Sequence, residues 1–291
     1  PPEAGTIDAA GSIWPAQSLE VRPSYLDLVK RYFDAEITPL DYKADPDGAK
    51  NVINNWVSEK TKGKIRGPIG RLDPKTQMVL VSAIYFNANW MEMFPKKNTK
   101  EEPFYKADGS ETKVDLMKKK NRLSYYASDD LQAVRLPYVS NAYSMLVLLP
   151  RKTGDIGNLE KSISRDTFER ILQSMRRGRG EVIVFLPKFT VETKYDLTGI
   201  LSNMGFKTPF SDSAQFPKLA EKPLKIDWVV HQAFVDVYEE GTTAAAVTSI
   251  GMRATSIPLP PPLFRADHPF VYFILENRTN AILFMGRYMG P

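Results

Sequence analysis

Cysteine is absent from this chain of 291 residues. Disulfides, thiolate nucleophiles and cysteine-ligated zinc are therefore excluded, while the redox compartment stays open. Histidine is almost absent: His231 and His268 are the only two, far apart in sequence. A histidine-rich metal site is excluded with them, and no metal or other cofactor is expected. A Ser-His-Asp enzyme needs an exposed imidazole beside a nucleophile. His231 lies inside an apolar, strand-like segment and reads as a hydrogen-bonded core histidine, and His268 precedes Pro269-Phe270 at a strand entry and reads as structural. No apolar run reaches about 18 residues, so no membrane-spanning helix is expected. The glycine pairs in Gly67-Pro68-Ile69-Gly70 and Gly178-Arg179-Gly180 lack the Lys-Ser/Thr that a phosphate loop needs. Catalysis has little support.

What is present is an ordinary globular composition, 43% hydrophobic and 25% charged. The net charge of +5 is mild. Two basic runs, Lys118-Lys119-Lys120 and Arg176-Arg177-Gly178-Arg179, read as solvated surface in preference to a polyanion site, and no nucleic-acid partner is expected. No leader of a secretory kind opens the chain, and its start at Pro1-Pro2 reads as a processed or truncated end. Asn277-Arg278-Thr279 fits a glycosylation sequon in a turn, where a plain turn serves equally well.

Periodicity predicts a mixed α+β order in one domain, 1–291. Residues 7–14 predict a strand, and Pro23 opens a helix with Leu26, Val29 and Phe33 on one face. Residues 46–62 predict the clearest helix, with Ala49, Val52, Ile53, Trp56 and Val57 on its apolar face and Gly63 stopping it. Residues 78–90 form a nearly continuous apolar strand, buried on both faces. Ser164 caps a helix carrying Phe168, Ile171, Leu172 and Met175. Strands over 181–193 and 228–238 flank a short helix near 196–204, and a hairpin closes the chain.

One stretch fits none of these patterns. Residues 238–258, YEEGTTAAAVTSIGMRATSIP, open with acids and a glycine and then run small. They lack both helical periodicity and the Gly/Pro punctuation of a tight turn. An exposed linker is one reading. A loop that later becomes a buried strand is the other: small side chains ease entry between packed strands, with Thr242, Ala244, Ala246, Thr248 and Ile250 on one face.

EEGTTAAAVTSI resembles the mobile hinge of inhibitory serpins, and FRADHPFVYFI (264–274) resembles the serpin C-terminal signature. NVINNWVSEKTKGKI, LVSAIYFNANW, LPYVSNAYSMLVLLP, LPKFTVETKYDL and AILFMGRYMGP fit the same family in the same order, over essentially 8–291. The resemblance implies a fold of three β-sheets with surrounding helices, whose main sheet accepts the reactive-centre loop, 239–263, as an extra central strand. It implies that roughly ninety further residues precede this start in the family, so that a complementary N-terminal fragment of the same protein completes the core. It also implies an extracellular protein.

The resemblance carries over residue by residue. The hinge is Glu239, Glu240, Gly241, Thr242, Thr243, Ala244, Ala245, Ala246, Val247 and Thr248, with Val247 and Thr243 as mild departures. Glu239 and Lys188 match the acid and base at the top of the insertion site, called the breach, with Trp90 beneath that opening. His231 matches the histidine of the shutter, where the strands part, and Ser82 stands where the family commonly has asparagine. The implied activity is irreversible suicide inhibition of serine or cysteine endopeptidases, elastase-, subtilisin- or trypsin-like; a carrier role without inhibition is the alternative. Spacing within the family puts the reactive bond at Thr255–Ser256, with Arg253–Ala254 as a second register suited to a trypsin-like pocket.

Overall fold

The computed structural model describes residues 6–176, 179–240 and 260–291. The elements, in chain order, begin with strand β1 (Thr6–Pro15), helix α1 (Pro23–Phe33), β2 (Glu36–Ile37), α2 (Pro46–Lys60) and β3 (Met78–Asn87). Then come β4 (Lys100–Tyr105), β5 (Glu111–Ala127), β6 (Leu131–Pro137), β7 (Tyr143–Pro150), α3 (Ile156–Ser162), α4 (Arg165–Met175) and β8 (Gly180–Pro187). The last are β9 (Phe189–Asp196), α5 (Leu197–Asn203), β10 (Trp228–Val237), β11 (Leu263–Arg265), β12 (Phe270–Glu276) and β13 (Ile282–Tyr288). The fold is α+β, and its residues group into two compact units.

The unit of Ile7–Phe86 and Thr190–Val235 is built on a five-stranded sheet, ordered β2-β1-β3-β10-β9. The central pair, β3 and β10, is parallel over seven matched residues, from Trp228↔Val79 to Phe234↔Tyr85. Alternation sends Val79, Val81, Ala83 and Tyr85 of β3 and Val230 and Phe234 of β10 to one face, where Ala49, Ile53 and Val57 of α2 cover them. Asp45 caps α2: its carboxylate accepts from Gly48 N–H at 2.8 Å, and Pro46 follows at the first turn. The stop differs in detail from expectation. Lys62, not Gly63, takes the first left-handed position (φ 52°), and Gly63 N–H returns to Ser58 O at 2.7 Å.

The other unit, Asn87–Phe189 with Asp236–Pro291, holds two sheets that share one strand. Glu111–Leu123 of the 17-residue β5 pair with β4 and β8, whereas Ser124–Ala127 pair with β6. The sheet β5-β6-β7-β12-β13 is covered by α3 and α4, where Ile156, Leu159, Ile171, Leu172 and Met175 pack on Leu146, Leu148 and Phe273. Ser164 caps α4, its Oγ accepting from Thr167 N–H at 3.2 Å. With the five-stranded sheet, the described residues form three sheets.

One expected strand is two. Residues 181–193 break at Lys188, between β8 and β9. Pro187 has no N–H to continue a ladder, and the chain changes sheet there.

Candidate functional site

The site begins where the two central strands end. β3 stops at Asn87 and β10 at Val237, and the segments that follow are tied to each other. Trp90 N–H donates to Glu240 O at 3.1 Å, and Phe94 N–H donates to Glu239 O at 2.9 Å. The Trp90 indole N–H donates to Tyr238 O at 2.8 Å. Trp90 is fully buried, stacked on Tyr138 at 4.4 Å between centroids and edge-on to Phe94. An aromatic wedge therefore fixes the backbone from which residues 241–259 leave.

Glu239 is the charged centre of this knot. Its side chain is only 7% exposed, against 36% for Lys188, whose Nζ stands 3.3 Å from the carboxylate. The Thr99 hydroxyl donates to the same carboxylate at 2.8 Å. Burial pushes the Glu239 carboxyl up, but bonds from its own backbone N–H, from Thr99 and from Lys188 outweigh that, so it titrates below its ordinary value. Glu240 pairs outward with Lys96 at 2.7 Å. The break at Lys188 matters here: at a corner between strands its side chain is free of a ladder's alternation.

Lys119 lies below the same loop and was not singled out from the sequence. It is 5% exposed, donates to Glu92 O at 2.7 Å, and points its ammonium at the faces of Phe94 (4.1 Å) and Trp90 (5.5 Å). Burial lowers its pKa to about 7, opposed by the nearby Glu92. The alternation of β5 slips at Leu116 and Met117, both buried, and turns the middle lysine of the triplet inward. Nothing in Lys118-Lys119-Lys120 marks which residue that is.

In the central pair, His231 and Ser82 are matched across the strands, with His231 Nδ1 3.2 Å from Ser82 Oγ. The hydroxyl reaches the histidine, and burial lowers the imidazole's pKa. His268 is buried, with Nδ1 at 2.9 Å from Asp267 Oδ1 and Nε2 at 2.8 Å from Pro150 O, so both ring nitrogens are occupied. The rest of the hinge, Gly241 to Thr248, and both candidate bonds, Thr255–Ser256 and Arg253–Ala254, lie outside the described residues.

These features define a sheet protein in which Tyr238, Glu239 and Glu240, which follow β10 in the chain, are held by hydrogen bonds from Trp90 and Phe94, which follow β3. Comparison with known proteins agrees with the class: the family described as serpin (serine protease inhibitor) matches residues 2–291. An uncharacterized serpin-like protein of Thermococcus kodakarensis is 37% identical over 98% of this chain and 66% of its own length. Serpin B6 of Pongo abelii is 36% identical over 98% of this chain and 77% of its own. Among solved structures, uncleaved ovalbumin superposes with a TM-score of 0.88 at 31% identity, over all of this chain and 75% of that one. Thyroxine-binding globulin in complex with thyroxine gives 0.88 at 28%, over all of this chain and 77% of that one. The chain belongs to the serpin family. It spans about two thirds of the archaeal relative.

Proposed function

We propose that this serpin is a suicide-substrate inhibitor of serine endopeptidases, with residues 239–263 as its reactive-centre loop. The observation that carries this is the direct parallel pairing of β3 with β10, with Ser82 and His231 at its middle and the Glu239 knot at its exit. No strand lies between these two, so the place for an incoming strand is still closed. A strand running back from Glu240 would be antiparallel to both neighbours and would replace one slanted parallel ladder by two antiparallel ones. Gly241 to Thr255 is fifteen residues, about 50 Å when extended. On the order of ten additional backbone hydrogen bonds at about 1 kcal/mol each supply a driving force near 10 kcal/mol.

In the proposed mechanism the protease serine attacks the carbonyl of the reactive bond, forms an acyl-enzyme and releases the new amino terminus. Insertion then carries the acylated protease to the far end of the sheet before water completes deacylation. Elastase- or subtilisin-like enzymes cut after Thr255. Trypsin-like enzymes cut after Arg253, less productively, because the insertable strand is about 7 Å shorter. Lys188 with Glu239, Trp90 beneath them, and His231 with Ser82 are the proposed restraints on opening. The chain shares its fold with a protein whose structure contains thyroxine, which favours the second reading, a carrier. The small residues 242–248 favour inhibition. Extracellular action belongs to the proposal.

The test is incubation with trypsin, elastase and subtilisin, a denaturing gel, and intact mass of the released fragment. A complex stable in detergent, with a new N-terminus at Ser256 or Ala254, supports inhibition. Loop cleavage without a complex rejects it in favour of the carrier reading.

A further inference from the structure

We propose that a cavity between residues 91–98 and β5 is a binding site for a monocarboxylate with an apolar body, its carboxylate received by Lys119. The cavity is about 660 Å³. Met91, Met93, Phe94 and Pro95 supply an apolar wall, and Lys119 supplies a cation. A space of this size, largely apolar with a few placed polar groups, suits a small organic ligand.

An ammonium group carries three donors, and Lys119 spends one on Glu92 O at 2.7 Å. Among the described residues it makes no other hydrogen bond, and no carboxylate stands within ion-pair distance of it. The charges around it are committed elsewhere. Lys96 pairs with Glu240 at 2.7 Å, Lys120 pairs with Glu181 of β8 at 2.9 Å, and Glu239 is held by Lys188 and Thr99. Lys118 lies over the ring of Phe185, and Glu92 is exposed and acts on Lys119 only through space. A cation that is 5% exposed is costly to hold without a counter-ion. The ring faces of Phe94 and Trp90 offset part of that cost. Methionine would pack on the same rings with no such cost, so packing alone does not account for a lysine here. A ligand carboxylate supplies the missing charge. One ammonium matches one negative charge, whereas a dianion would leave charge uncompensated away from water. The apolar wall takes the hydrocarbon of the same ligand out of water. Burial holds the Lys119 pKa at about 7, and a bound carboxylate raises it, so binding near neutrality takes up protons.

The experiment uses the whole chain and needs no protease, so it succeeds or fails independently of the inhibitory reading. The probes are octanoate and its neutral analogue octanamide. They are followed by thermal unfolding and by isothermal titration in two buffers of different ionisation heat. The expected result is a rise in Tm with octanoate that exceeds the rise with octanamide. At pH 7 octanoate should take up about half a proton on binding. Its affinity should fall roughly tenfold between pH 6 and pH 8, because the charged fraction of an amine with a pKa of about 7 falls by that factor while octanoate stays ionised. Lys119→Met should abolish the proton uptake and the pH dependence and bring octanoate down to the affinity of octanamide. Met93→Trp narrows the cavity and leaves the ammonium in place, and should weaken both probes. Equal binding of the two probes, binding without proton uptake, or unchanged octanoate affinity in Lys119→Met overturns the site. So does the absence of a Tm shift with octanoate, or octanoate binding indifferent to Met93→Trp, since that places the ligand elsewhere.

Discussion

Replacing Lys188 with methionine isolates the proposed restraint at the exit of the central pair. The substitution removes the cation 3.3 Å from Glu239 and leaves a carboxylate that is 7% exposed with Thr99 and its own backbone N–H. A fully buried charged hydrogen bond would be worth up to about 3 kcal/mol. Lys188 is 36% exposed and the contact is long, so solvent screening brings the expected loss to about 1 kcal/mol. If the bond is lost on the way to insertion, that loss lowers the barrier, and 1 kcal/mol is about a fivefold faster rate. Thr99→Val should act similarly through the other partner. The two backbone bonds from Trp90 and Phe94 remain in both variants, so neither should open freely. The assay is incubation some degrees below Tm, with surviving monomer followed by size exclusion. The charge-reversed pair Lys188→Glu with Glu239→Lys should recover part of the loss. Wild-type conversion rates in all three variants would refute the reasoning.

Lys119→Met should stabilise the protein most at low pH. The folded pKa of about 7 lies below the ordinary lysine value, so the wild type gains stability as pH rises from about 7 towards 10.5, and the advantage of the methionine should shrink over that range; a constant difference in urea midpoints rejects this. His231 is likewise depressed: its contribution is present above about 6.5 and is lost as pH falls through the lowered value, so His231→Gln should flatten the pH dependence of stability below that point. Thr242→Arg should turn the inhibitor into a substrate, because a charge on the inserted face must be desolvated; unchanged stoichiometry of inhibition counts against the hinge. Asn277 should carry no glycan in a eukaryotic host, since its Nδ2 is spent on Asn141 O; a mass shift at that peptide would show the turn opening.

Much of the frame was legible because local chemistry determined it. Ser164 and the apolar spacing of Ile53 and Val57 announce their helices, and the structure keeps them. The break at Lys188 leaves no mark in the sequence, because Val182, Val184 and Phe189 are equally apolar on both sides and only the change of sheet separates them. Lys119 is hidden from the sequence for a related reason. A buried cation differs from an exposed one by its tertiary surroundings, and the lysine triplet does not encode those locally. Family motifs supplied Glu239, Lys188, Ser82 and His231; the structure adds the Thr99 and Phe94 contacts that no motif named.

The central pair has a consequence for biogenesis. Ser82 and His231 are 149 residues apart, so the seam between β3 and β10 is among the most non-local contacts in the fold. Loop closure over such a distance is slow, and a chain made from its N-terminus cannot attempt it until β10 has emerged. At roughly 5–20 residues per second, residues 241–259 follow within about one to four seconds. The partner that belongs beside β3 and the segment proposed to displace it therefore reach the same sheet almost together. Order of arrival favours β10 by seconds, and every change that slows the closing of this seam shifts nascent chains towards premature insertion or towards pairing with one another.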